Sequence, residues 1–78
     1  MNIKFGELWN CIKSYPHSLS YYDESVNEED MLYTEAAMND FAEEHSEDEV
    51  TDFAIYESGL SFKLEVDLRK ERNRCLNI

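Results

Sequence analysis

Residues 50–68 read VTDFAIYESGLSFKLEVDL, and this stretch decides the fold. Two runs rich in β-formers, Val50 to Tyr56 and Leu60 to Leu68, flank Ser58-Gly59. A two-residue connection containing glycine is a hairpin signal. With Ser58-Gly59 as the loop, Glu57 faces Leu60, Ile55 pairs with Phe62, Phe53 with Leu64 and Thr51 with Val66. Leu60, Phe62, Leu64, Val66 and Leu68 then line one face, which alternation assigns to the core. Ala54 meets Lys63 and Asp52 meets Glu65 on the other face, which is wet because like charges stand opposite each other.

Upstream, Phe5 to Tyr15 carries a helical stripe of Phe5, Leu8, Trp9, Cys11, Ile12 and Tyr15, closed by Pro16. Ser18 to Tyr22 alternates as a short strand, residues 23–30 are polar enough for a long turn, and Met31-Leu32-Tyr33 suits a second short strand. The competing reading, a helix from Asn27 to His45, would wrap that triplet around the helix. Thr34 caps a second helix, Glu35 to His45, with Ala37, Met38, Phe41, Ala42 and His45 on one arc. The expected core joins Phe53, Ile55, Phe62 and Leu64 to Leu8, Ile12 and Phe41. The expectation is one α+β domain over 1–78, two helices packed on an antiparallel sheet with a C-terminal hairpin, and 69–78 a frayed basic tail.

At 78 residues a single thin core is available. No basic leader with an apolar run opens the chain and no window approaches the length of a spanning helix, so a cytoplasmic protein is expected. Cys11 and Cys75 lack CxxC spacing and are expected as free thiols, with a terminal staple as the other arrangement. No catalytic constellation is present, and the expectation is a non-enzyme without cofactor. His45 suits a buried or dipole-stabilised position and His17 a surface loop. Neither has a Cys or second His at metal spacing, so no metal site is expected. Asp23-x-Ser25-x-Asn27-x-Glu29 opens like a calcium loop but has Glu28 where glycine belongs and Thr34 where a bidentate Glu belongs.

Charge is the distinctive feature. Eighteen acids against seven bases give −11, which excludes a binder of phosphates or of anionic membrane through basic residues. Between Ser14 and Phe62 stand fourteen acids and not one Lys or Arg. Solubility alone accounts for an acidic surface, but single-sign charge also gives up helical i,i+4 ion pairs. Carboxylates ~6 Å apart on a helix or ~7 Å apart on a strand form rows comparable with duplex phosphates, one per ~3.4 Å of rise on each strand.

In size, low isoelectric point, single-sign charge and aromatic content the chain resembles the small acidic inhibitors encoded by phages. These are anti-restriction proteins, anti-CRISPR proteins and uracil-DNA glycosylase inhibitors, several of which mimic DNA. The class shares no motif or fold, so no residue role is carried over. The resemblance implies an inhibitor that occupies the nucleic-acid site of a larger basic protein without touching nucleic acid or membrane itself. The expected contact row is Asp40, Glu43, Glu44, Glu47, Asp48 and Glu49, followed by Asp23, Glu28 and Glu29. An interaction module using an aromatic surface of Trp9, Tyr21 and Tyr22 is the alternative.

Overall fold

The computed structural model describes residues 3–70. In chain order it contains β1 (Ile3–Lys4), α1 (Phe5–Asn10), β2 (Ser18–Asp23), β3 (Glu28–Leu32), α2 (Glu35–Glu44), β4 (Glu49–Ser58) and β5 (Ser61–Arg69). The strands form one sheet in the order β1-β4-β5-β2-β3. The α+β class stands as expected and a C-terminal hairpin forms, in a register other than the expected one, but the sheet is mixed: β2 and β5 pair in parallel. Connectivity forces this. α2 carries the chain back across the sheet, so β3 and β4 run the same way. β2 and β5 are their antiparallel hairpin partners and must therefore match each other where the hairpins abut.

α2 is built as its pattern dictates. Thr34 Oγ1 accepts from the Ala37 N–H at 3.1 Å, and Met38, Phe41 and Ala42 are buried. α1 stops at Asn10 instead of Tyr15. Of the expected stripe only Phe5 and Leu8 are buried, while Cys11 and Tyr15 face solvent, so no apolar face holds further turns. Its start is anchored by backbone: the Phe5 N–H bonds Asp48 O at 2.9 Å and the Gly6 N–H bonds Ser46 O at 3.0 Å. A Cβ at Gly6 would stand 3.1 Å from Ser46 Cβ, a tight contact that a larger residue could make only by moving the Ser46 segment.

The polar stretch after Tyr22 is shorter as a turn than expected. β3 begins at Glu28, after a turn in which Asn27 takes φ +54°. β3 is an edge strand with a single neighbour, so its residues need no apolar alternation, and acidic side chains there keep the edge from aggregating.

The β4–β5 pairing differs from expectation by two residues. Ser58 pairs with Ser61, Glu57 with Phe62, Ile55 with Leu64 and Phe53 with Val66. The two-residue loop is therefore Gly59-Leu60. Gly59 sits at its first position with φ +64°, where a type II′ turn places glycine. Leu60 is fully exposed at the tip instead of buried. A shift of two preserves every face, so Leu64, Val66 and Leu68 remain inward. An irregularity between Val50 and Asp52 leaves Thr51 without the expected pairing to Val66 and sets Asp52 opposite Asp67.

The core comprises Phe5, Leu8, Leu19, Met38, Phe41, Ala42, Val50, Leu64, Val66 and Leu68. Ile12 and Phe62 are half-buried, and the expected core members Phe53 and Ile55 are 36% and 52% exposed. Length explains the difference. α2 is ten residues, about 15 Å, whereas β4, also ten residues, spans about 33 Å. The distal half of the hairpin therefore overhangs the helical layer, and the molecule measures 48 × 23 × 22 Å. Cys11 is exposed and free, while Cys75 and most of the expected basic tail lie outside the described residues. Arg69 and Lys70, by contrast, are described, and Arg69 ends β5. No helix among the described residues is long and apolar enough to cross a membrane.

Candidate functional site

The expected acid row divides by environment. Asp40, Glu43 and Glu44 are exposed on α2, Glu28 and Glu29 on β3, and Glu47 in the loop before β4. Helical spacing puts Asp40, Glu43 and Glu44 on neighbouring turns of one face. Asp23 and Asp48 are instead buried, at 1% and 8% exposure, and Glu49 is half-buried against Arg69 at 3.0 Å. These three are structural acids. Solvation of a charge run was the reason to expect them outside, but strand ends and a tight loop draw them in.

The buried pair belongs to a network under α2. His45 caps the helix, its ring stacks on Phe41 at 4.3 Å, and its Nδ1 lies 2.7 Å from Asp48 Oδ2. Asp23 Oδ1 accepts from the Ser25 N–H at 3.0 Å. Lys70 Nζ stands 3.9 Å from Asp23 and 4.0 Å from Asp48. Asp23, His45 and Asp48 each bring one ligand atom within 4.8 Å of the others, a separation at which a cation could bridge them. Lys70 already supplies positive charge at both carboxylates, and the network closes the end of the sheet. Asp48→Ala is expected to lower stability by about 1.5–3 kcal/mol, the worth of a charge-assisted hydrogen bond, measured by urea unfolding.

Two acidic fields remain at the surface. The first surrounds Tyr21, whose ring packs 4.4 Å from Phe41. Its phenol is held above its ordinary range, by burial first and then by the negative charges of Glu28, Asp30, Asp23 and Glu44. β3 and the end of α2 thus act on one point.

The second field lies on the open sheet face, which carries no helices. Asp67 is raised above the usual carboxylate range by burial, then by Asp52, Glu24 and Glu65. Thr51 Oγ1 donates to Glu24 Oε2 at 2.7 Å, holding that acid beside the strand. None of these four acids is in the expected row, although the sequence already placed Asp52 and Glu65 on the wet face of the hairpin. With the folded-state value above the unfolded one, the folded chain binds this proton more tightly. Stability therefore falls as pH rises through the interval between the two values. Asp67→Asn is expected to raise the thermal midpoint at neutral pH and to leave it unchanged below the ordinary carboxylate range, as a pH series of melts would read.

The bases do little to offset these fields. Lys4 pairs with Glu47 at 2.8 Å, Lys63 with Glu65 at 3.2 Å, Arg69 with Glu49, and Lys70 with the buried network. Among the described residues Glu28, Glu29, Asp40 and Glu43 have no ion-pair partner. The aromatic alternative fares differently from its expected form. Trp9 is half-buried against Phe5 and Tyr15, Tyr21 lies on Phe41, and the Tyr22 hydroxyl donates to Asn27 at 2.8 Å. The exposed large apolar side chains are elsewhere, chiefly Tyr33, Phe53, Ile55, Tyr56 and Leu60.

No family model, curated protein or solved structure matches this chain.

Proposed function

We propose that the chain is a non-enzymatic acidic inhibitor that occupies the nucleic-acid site of a larger basic protein, in the cytoplasm and in the manner of phage counter-defence proteins. The observation that carries this reading is the set of exposed acids on α2 and β3, Asp40, Glu43, Glu28 and Glu29, which no base of the described chain neutralises. Glu44 and Asp30 extend the same field around Tyr21. Such a surface is self-repelling and gains free energy when a basic groove replaces water and counterions. A rigid helix also holds its carboxylates in place before binding, so less entropy is lost on contact.

Salt tests the reading. Capture of a partner from lysate by the immobilised protein should be strong at low ionic strength and collapse near 1 M, where the screening length shrinks to ~3 Å. Capture indifferent to salt would point to an apolar interface instead.

A further inference from the structure

Beyond Val50, β4 has no outer neighbour among the described residues. β1 pairs only with Glu49 and Val50, and among the described residues Phe53–Ser58 pair with β5 alone. Among the described residues an open edge of six residues, about 20 Å long, therefore runs along the overhanging half of the hairpin, with the backbone groups that point away from β5 unpaired. Its side chains are sorted by face. Phe53 and Ile55 point to the helix side and stay exposed because the helices end short of them. Asp52, Ala54 and Tyr56 point to the open side, opposite Asp67, Glu65 and Lys63 of β5.

We propose that this edge is a docking site for one extended segment of a basic partner, which adds to the sheet as a sixth strand. Charge complementarity selects the occupant. On the helix side the added strand would meet Phe53 and Ile55, next to a 510 Å³ groove lined in part by Ile12, Leu60 and Phe62, and needs apolar residues there. On the open side it would meet Asp52, with Asp67 one strand further, about 10 Å away and within reach of Lys or Arg, while Glu65 is already paired with Lys63. The occupant is thus a strand alternating apolar and basic residues, bound by main-chain hydrogen bonds and read by its side chains. A second copy of this chain is disfavoured by the same charges. Each copy carries a formal charge of −11 and brings Asp52 and Glu57 on this strand, so two copies repel each other. The site goes beyond the acidic-surface reading and shares with it only the requirement of a basic partner.

The test uses the full chain with three synthetic octapeptides: alternating lysine and valine, the same composition in two blocks, and the alternating peptide N-methylated along its pairing edge. The alternating peptide should slow amide exchange within Phe53–Ser58. N-methylation, which removes donors without altering charge, should weaken binding by roughly tenfold or more. Ile55→Glu should weaken the alternating peptide further while the fold, read by circular dichroism, is kept. Equal affinity for all three peptides, with shifts scattered over α2, would overturn the edge and leave the acidic surface standing. Absence of binding by any peptide would likewise overturn the edge, since the surface reading rests on capture of a folded partner.

Discussion

Phe5→Ala should cost about 3–5 kcal/mol, the range for truncating a buried phenylalanine. The ring is fully buried, stacks 5.9 Å from Trp9 and meets Phe41 edge-on at 5.3 Å, so it ties α1 to α2. Its own N–H anchors the loop before β4, so loss of the ring loosens both sides of the helical layer. A domain of this length holds only roughly 4–12 kcal/mol in total, and the variant should be largely unfolded or close to it. Urea denaturation reads the change as a fall in midpoint at unchanged slope. Phe53→Ala supplies the contrast. That ring projects from the overhanging hairpin, and its loss should cost far less.

The second large effect concerns binding. Reversing Asp40, Glu43 and Glu44 to lysine together replaces three negative charges on one helix face with three positive ones. At roughly 1 kcal/mol for each exposed charge lost or opposed, affinity for a basic groove should drop by about a hundredfold to ten-thousandfold. Folding should survive, because all three side chains are exposed, and relief of self-repulsion on α2 should hold the melting midpoint steady or raise it. Lys13→Glu is the matched control. Lys13 is on neither α2 nor β3, and its reversal should leave binding to the acids of those elements nearly unchanged. The pair of variants is read by equilibrium titration against the captured partner at fixed low salt.

What the sequence revealed follows from how local each signal was. The α2 boundaries, its Thr34 cap and its buried face are written within ten residues, and they hold. The inward face of β5 is equally local, since alternation at Leu64, Val66 and Leu68 survives any even shift of register. The register itself depends on which loop position needs positive φ, and Gly59 fits either side of a two-residue loop until the backbone is seen. Parallel pairing of β2 with β5 was invisible because it joins residues some 45 positions apart through the direction of α2. Exposure of Phe53 and Ile55 depends on the relative lengths of helices and strands, which no residue pattern encodes. For the acids the limit is similar. Charge density identified the α2 and β3 surfaces, but Asp23 and Asp48 look like their solvated neighbours until His45 and Lys70 close over them.

If the acids of α2 and β3 occupy a nucleic-acid groove, this protein and a nucleic acid must compete for it. The partner captured at low salt is purified, loaded with its own DNA or RNA at a concentration near half-saturation, and titrated with this protein while bound nucleic acid is followed by fluorescence anisotropy. Nucleic acid should be displaced to completion, and the Asp40, Glu43, Glu44 reversal should fail to displace it. A ternary complex, in which anisotropy rises as both ligands stay bound, would contradict it and leave the acid rows as a solubility coat.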